Sequence, residues 1–398
     1  MRSLHLKIVA GIVFGASQLF SFFYFSRSAG LDFGMYYLAA AALRDGLNPY
    51  TLSDWGNIAR QYSVTSYALP YRYPPLTSWL IEPFTFFPFS HAFALWTILN
   101  IVAYSISILI LSKVVRDTWV DSLFLLSSAC FVPVFWNYSL GQINALVLLG
   151  IVAWVYFANK EKKEFSFLGG LSLAFGVALK PVPFLLCIYV VWKRKYWQSL
   201  GLVVGLIISG ILPMLTGDSG FLIAYLKNIL TLSTVYPAEN PTSYPSNQSI
   251  LGFTMRLLSK NAYGPSLVND PLLAVGMAFG ISLALFLATF IVLLKCRTNN
   301  RSAVEVGFLL VLTVLALPGV IWYHDIVLNV ISYAVAWQFS RRLLVRAVLT
   351  VSYVSVLLQG LILVWQQFVG ITVLLSLGTY GLLVLWLLIW RELSKKAG

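Results

Sequence analysis

Apolar runs close to the thickness of a bilayer's hydrocarbon core follow one another along this chain, and that repetition most restricts its fold. Hydrophobic residues make up 59% of the sequence and charged residues 10%, with a mean hydropathy of +0.82, so water cannot be the main solvent. At roughly 20 residues per spanning helix, about a dozen helices and two substantial polar loops use up the chain. The expected architecture is an all-α polytopic membrane protein, a single transmembrane domain over residues 1–398 with no separate soluble domain.

The spans read as Ile8 to Phe25, Ala92 to Leu111, Val120 to Trp136, Ile143 to Phe157, Phe165 to Trp192 with a break at Lys180-Pro181, and Tyr196 to Leu215. Leu272 to Leu294, Val304 to Leu317, Ile321 to Phe339, Leu343 to Trp365 and Val369 to Trp390 follow. Ile8 to Phe25 has a basic start but no convincing small-residue cleavage site, so it reads as a retained first span. Leu76 to Phe87, interrupted by Glu82 and Pro83, is short and is counted as a tilted or re-entrant crossing. Two polar excursions, 26–73 and 217–270, are expected outside the membrane. The first holds a short helix from Met35 to Leu43 and a second, capped by Ser53, through Trp55, Ile58, Ala59 and Tyr62 that lies on the membrane surface. The second holds an amphipathic helix from Phe221 to Leu232, then Pro237, Pro241 and Pro245, then a helix starting near Asn247.

The net charge of +13 does not point to nucleic acid, because the basic residues stand in short clusters between apolar runs. Lys193-Arg194-Lys195, Lys295 with Arg297 and Arg301, Arg341-Arg342 with Arg346, and Arg391 with Lys395 and Lys396 are topology signals that belong in the cytoplasm. Both termini then fall in the cytoplasm. This count leaves Lys160, Lys162 and Lys163 outside, in the company of Glu161 and Glu164, and puts Gln142 on the inner side. Cys130, Cys187 and Cys296 are too scattered for a disulfide framework or a metal site.

Few residues can carry chemistry. Asp32 stands where the first span leaves the bilayer; it can act as a base toward an attacking hydroxyl, or serve as a helix cap. Arg72 and Tyr73, beside Pro74-Pro75, can grip a phosphate or anchor the loop at the headgroups. Lys180 lies in an apolar run, where a cation needs a partner or a water-filled cavity; a phosphate pocket and the carbonyls freed by Pro181 are both suitable. Gln142 and Asn144 can bond across helices as packing glue. Asn247 and Gln248 head a helix containing Arg256, a place for a phosphate, for sugar hydroxyls or for simple capping. His324 can orient Asp32 or contact an acceptor, or it is an interfacial histidine beside a capping Asp325.

Taken in order, Asp32-Phe33 with Tyr36-Tyr37, Asn48-Pro49-Tyr50, Tyr73-Pro74-Pro75, Gly141-Gln142 with Asn144, Lys180-Pro181, Asn247-Gln248-Ser249 with Arg256, and Trp322 with His324 resemble glycosyltransferase family 87. That family comprises polyprenyl-phosphate-mannose-dependent mannosyltransferases of the GT-C superfold. The resemblance implies a lipid-linked sugar donor, with mannose the commonest sugar, and transfer to a lipid or glycan acceptor on the extracytoplasmic side of the plasma membrane. By it, Asp32 matches the catalytic aspartate and His324 the histidine near the active site. Arg72, Lys180 and Arg256 are then the cations for the leaving phosphate. No cofactor or metal is implied, since the lipid-phosphate sugar is itself a substrate, and the chain has no Asp-x-Asp triplet and no Gly-rich phosphate loop. The rival from another class is a transporter or flippase, for which paired broken helices and internal symmetry would speak.

Overall fold

A computed structural model describes residues 2–68, 71–114, 118–158, 160, 162–215, 220–235, 242–296, 302–317, 319–340, 342–369 and 371–395. Pro237, Pro241, Glu161, Arg297, Arg301, Arg341 and Lys396 lie outside these residues. Among the described residues there are helices and loops and no strand; Asn247 and Trp322 form one isolated bridge. Seven described helices are long and apolar enough to cross a membrane, at 5–25, 89–113, 121–140, 196–215, 271–295, 343–365 and 372–394. Shorter apolar helices stand at Asn144–Ala158, Val182–Trp192 and Ala303–Ala316. The chain is an all-helical polytopic membrane protein.

In order, α1 (Arg2–Phe25) leads to three short helices, α2 (Leu31–Arg44), α3 (Trp55–Gln61) and α4 (Pro75–Ile81). The middle of the chain forms α5 (Phe89–Val114), α6 (Thr118–Ala129), α7 (Val132–Leu140), α8 (Asn144–Ala158), α9 (Lys163–Leu179), α10 (Leu185–Trp192) and α11 (Tyr196–Ile211). After α12 (Gly220–Val235) and α13 (Ile250–Leu258) come α14 (Pro271–Lys295), α15 (Ser302–Ala316), α16 (Val330–Trp337), α17 (Leu343–Val369) and α18 (Leu377–Ser394).

Several boundaries differ from the expected spans for identifiable reasons. Leu76 to Phe87 is no crossing: α4 lasts seven residues, and Pro83 turns the chain into a 3-10 segment at Glu82–Phe86. The helix through Trp55 is capped by Asp54, whose carboxylate accepts from the Asn57 amide, and not by Ser53. The Val120 to Trp136 run breaks at Cys130-Phe131, ahead of Pro133, into α6 and α7. Ile321 to Phe339 begins as a 3-10 turn, Tyr323–Asn329, and only then becomes α16.

The chain divides into two compact units, one of residues 15–110 and 137–235 and the other of 1–14, 111–136 and 236–398. In the unit of 15–110 and 137–235, glycines set how closely the helices approach. A Cβ on Gly150 of α8 would lie 2.8 Å from the Ser172 carbonyl of α9; one on Gly201 or Gly205 of α11 would lie 2.1 Å from the Phe167 carbonyl or 2.5 Å from Ala174 Cβ. Gly201-Leu202-Val203-Val204-Gly205 is thus a GxxxG face packed on α9. These contacts also fix direction. Gly150 faces Gly176 while Trp154 faces Gly169, so α8 and α9 are antiparallel; Phe167 faces Gly201 while Ala174 faces Gly205, so α9 and α11 are parallel.

One end of α8, α9 and α11 therefore gathers Lys160, Lys162 and Lys163 with Lys193, Arg194 and Lys195, and Lys163 Nζ lies 5.6 Å from the centre of the Trp197 ring. The other end holds Asn144 and Lys180. This overturns two parts of the sequence-based count, which set Lys160 to Lys163 outside while Lys193 to Lys195 were inside, and which put Gln142 on the side opposite Asp32. The cause is the same in both cases: the short Pro75–Phe86 segment does not cross, and the chain folds back at Pro181, which returns α10 to the lysine end.

The second unit is tied by polar bonds between helices, as expected where lipid gives apolar side chains no preference for one another. Ser352 Oγ donates to the Gly381 carbonyl at 2.7 Å, Trp386 Nε1 to Thr289 Oγ1 at 3.0 Å and Tyr323 OH to the Val356 carbonyl at 2.6 Å. Lys7 and the buried Asp121 form an ion pair.

Gly201→Leu should separate α9 from α11 and destabilise the protein by about 1–3 kcal/mol, whereas Gly210→Leu, where a side chain meets open space, should be neutral. Thermal unfolding of both variants in lipid nanodiscs checks this; equal stability would remove the close-packing account.

Candidate functional site

The site grows from α2. Gly30, in the left-handed region at φ 55°, lets the chain turn sharply out of α1 into α2. Phe33 to Leu43 are all buried, so this short helix is held as a core element although it is too short to span. Gly34 lets the following loop press against it: a Cβ there would meet the Ser66 carbonyl at 2.1 Å. Asp32 sits half-buried in the first turn, where the helix dipole favours a carboxylate.

Two chain reversals bring partners to Asp32. At the end of α7, Gly141 takes φ 70°, and a Cβ on it would lie 2.5 Å from Phe33 Cβ, so the turn sits directly on α2 and only glycine fits. Trp96 Nε1 holds the Gly141 carbonyl at 2.7 Å. Gln142, next in sequence, is thereby aimed at Asp32, and its Nε2 donates to Asp32 Oδ2 at 2.8 Å. At the second reversal, Pro181 stops α9 and leaves Lys180 extended. The buried Lys180 donates to Gln142 Oε1 at 3.3 Å and Asn144 Oδ1 at 3.1 Å, and lies 5.6 Å above the Tyr73 ring.

The Tyr73 hydroxyl bridges the same carboxamide, 3.0 Å from Nε2 and 3.2 Å from Oε1. Tyr36 OH donates to Oε1 at 2.9 Å. Burial, then the neighbouring Tyr73 and Asp32, hold the Tyr36 phenol well above its ordinary value, so it stays a donor. These donors settle which way the Gln142 amide points. Turned over, its NH₂ would face the lysine ammonium and the Tyr36 hydroxyl, and its carbonyl would face a carboxylate. Tyr73 is itself held from behind: Tyr50 OH donates to its carbonyl at 2.6 Å, and Tyr50 stands in a turn closed by Asn48 Oδ1 on the Tyr50 amide. Arg72, half-buried, precedes Tyr73 in the same segment.

Asp32, Tyr73, Gln142, Asn144 and Lys180 are thus brought together in one unit, and Tyr36 joins them. Sequence reasoning read Gln142 and Asn144 as packing glue and gave Tyr36 no role. The available signal was a Gly-Gln-x-Asn segment between two apolar runs, where polar side chains with no structural need are costly.

Asn247, Gln248, Arg256, His324 and Asp325 belong to the other unit. Arg256 is fully buried, and its guanidinium donates to the Tyr244 and Asn247 carbonyls at 2.9 and 2.8 Å and to Ser376 Oγ at 3.1 and 2.8 Å. Burial lowers the guanidinium from its ordinary value to about 9, leaving it cationic at neutral pH. Gln248 Nε2 donates to the Pro245 and Leu375 carbonyls, its Oε1 accepts from the Thr379 amide at 2.9 Å, and Asn247 Oδ1 accepts from the Ile321 amide at 3.2 Å. Here the helix cap is Ser249. Asp325 Oδ2 accepts from the Trp322 amide at 3.0 Å, and His324 is buried in the same 3-10 turn, its Nε2 3.8 Å from Asp325 Oδ1. The histidine is therefore a buried side chain of the turn that leads into α16.

Arg256→Lys should lower the unfolding temperature markedly, since an ammonium cannot reproduce a planar fork that serves two carbonyls and a hydroxyl, and an unsatisfied buried group costs about 1–3 kcal/mol. Nanodisc melting curves check it; an unchanged midpoint would contradict the bracing role.

No curated protein and no solved structure matches the chain significantly. A family model, glycosyltransferase family 87, matches residues 71–318, a stretch that contains Tyr73, Gln142, Asn144, Lys180 and Arg256 and stops short of Asp32 on one side and His324 on the other. With more than half of its length matched, and with the membrane-helix architecture described above, the chain belongs to glycosyltransferase family 87 and is a membrane glycosyltransferase.

Proposed function

We propose that this glycosyltransferase moves a sugar, mannose in the family's commonest form, from a polyprenyl-phosphate donor to a lipid or glycan acceptor, with Asp32 as general base. The observation that carries the reading is the Gln142 carboxamide, which joins a carboxylate to a lysine across one hydrogen-bonded group. A transferase of this kind needs a base on one side of the anomeric carbon and a cation on the other. The acceptor hydroxyl attacks that carbon and gives its proton to Asp32. The bond from carbon to phosphate oxygen breaks, the electron pair leaves with the polyprenyl phosphate, and displacement from the opposite face inverts the centre. Lys180, Arg72 and the Tyr73 hydroxyl face the charge that develops on the phosphate. Asn247, Gln248 and Arg256 serve the fold in this account, and His324 keeps the catalytic role that the family resemblance implies. The lipid-phosphate sugar is a substrate, and the reaction as written uses no cofactor.

The extracytoplasmic placement follows from charge. Lys160, Lys162, Lys163, Lys193, Arg194 and Lys195 share one end of α8, α9 and α11, and the positive-inside rule assigns that end to the cytoplasm. Asn144 and Lys180, with Gln142 and Asp32, stand at the opposite end. The reading therefore puts the reaction on the outer face of the plasma membrane, in a GT-C arrangement with both termini cytoplasmic.

Asp32→Asn should lower transfer by at least about a hundredfold with little change in stability, measured in membranes supplied with polyprenyl phosphate mannose and mass detection of product. Full activity in that variant would eliminate the base. Gln142→Glu should move the acid limb of the pH–rate profile upward, because a second carboxylate beside Asp32 opposes its ionisation, while Gln142→Ala, which only removes the donor to Asp32, lowers the rate and moves that limb by less. Superimposable profiles for the two variants would show that Gln142 does not act through Asp32. His324→Ala should lower transfer about tenfold or more, and unchanged transfer would remove His324 from the mechanism.

A further inference from the structure

Alongside α2, from Tyr37 toward Arg44, lies an open cleft of about 520 Å³, a size suited to part of a small ligand. One wall is the turn that ends α3, Gln61 to Ser63; the other is the corner from Thr85 to Ser90, where the 3-10 segment runs into α5. Arg44 ties the walls together from behind. Its guanidinium donates to the Thr85 carbonyl and hydroxyl at 2.7 and 2.9 Å on one wall and to Tyr62 OH at 2.7 Å on the other, between the Tyr62 and Phe86 rings. Tyr37 closes the floor, donating to the Phe87 carbonyl at 2.9 Å. The cleft is thus held open by the fold before any ligand arrives.

Its chemistry selects the ligand. Arg44 is already committed to three acceptors, and the Asp45 carboxylate stands beside the cleft, accepting from Tyr62 OH at 2.9 Å and Gln61 Nε2 at 3.2 Å. An anion would meet that carboxylate. Aromatic faces at Tyr62, Phe86 and Phe89, set among the hydroxyls of Ser63 and Ser90 and the amide of Gln61, instead suit a neutral molecule with apolar faces and many hydroxyls. Ser63 adds an independent sign. It occupies the left-handed position that ends α3, at φ 54°, with the Val64 amide bonded back to the Ala59 carbonyl. Glycine is the residue this cap favours, so serine keeps an exposed hydroxyl on the lip at a cost in backbone strain.

We infer that this cleft is a distal subsite for the carbohydrate part of the acceptor, an inference that rests on the transferase reading above. Tyr37 on the cleft floor and Arg44 behind its walls are five and twelve residues from Asp32 on one helix, roughly 8 and 18 Å along its axis. An acceptor that fills the cleft while offering a hydroxyl to Asp32 is therefore longer than a single sugar.

Photolabelling with a diazirine-bearing mannotriose, on the full chain in nanodiscs, tests binding without requiring transfer. The expected label maps by mass spectrometry to 61–63 and 85–90 and is displaced by unlabelled mannotriose but not by inorganic phosphate. Ser90→Trp, which fills the cleft, should reduce labelling about tenfold. Ser63→Gly, which the left-handed cap favours and which therefore keeps the fold, should reduce it about threefold. Labelling does not require transfer, so it is read whether or not Asp32 is the base, and failure of the catalytic reading and failure of the subsite are separable; Gly210→Leu, where a side chain meets open space, should label as the unaltered protein does. Label absent from both walls, label displaced by phosphate, or label unchanged in both cleft variants overturns the subsite.

Discussion

The Gln142 carboxamide must present its oxygen to an ammonium and a phenol, and this leaves its nitrogen only one sensible direction, toward Asp32. The rest of the site follows from that constraint. Gly141 has to be a glycine so that the turn can rest on Phe33, Pro181 has to end α9 where Lys180 can reach back, and Tyr50 has to hold the Tyr73 segment against the same group. Elements far apart in sequence converge because each ends at one small polar cluster, and such a cluster is costly to bury unless its members satisfy one another.

Those endings also order the membrane helices. α8 and α9 run antiparallel and α9 and α11 parallel because glycines let their backbones touch. The lysine clusters and the polar cluster consequently sort to opposite ends. The same packing that holds the helices together thus separates a basic end from the polar cluster of Asp32, Gln142 and Lys180.

Composition alone made the helical membrane architecture legible, since runs of this length and hydropathy have one stable form in lipid. The break at Lys180-Pro181 was legible too, because proline ends a helix wherever it falls. Topology was not. Pro75 to Phe86 has the composition of a span and the length of half of one, and whether such a segment crosses depends on tertiary partners: α2 packs against both its pieces. Asp32 could be singled out as an acid at a span mouth, but its link to Gln142 depends on a left-handed glycine 109 residues away from it in the chain, counting from Asp32 to Gly141. Arg256, a cation near a helix start, looked like a phosphate ligand in sequence; its carbonyl partners Tyr244 and Asn247 carry no side-chain signal that would have revealed the brace.

The most direct measurement is an experimental structure of the protein in a lipid nanodisc with a non-hydrolysable polyprenyl-phosphate sugar bound. The account predicts the phosphate against Lys180 and Tyr73, with the anomeric carbon between it and Asp32, so that an acceptor hydroxyl can come within roughly 3 Å of the carboxylate. A donor whose phosphate rests instead at the Lys160 to Lys195 end, or whose sugar lies out of reach of Asp32, would contradict it.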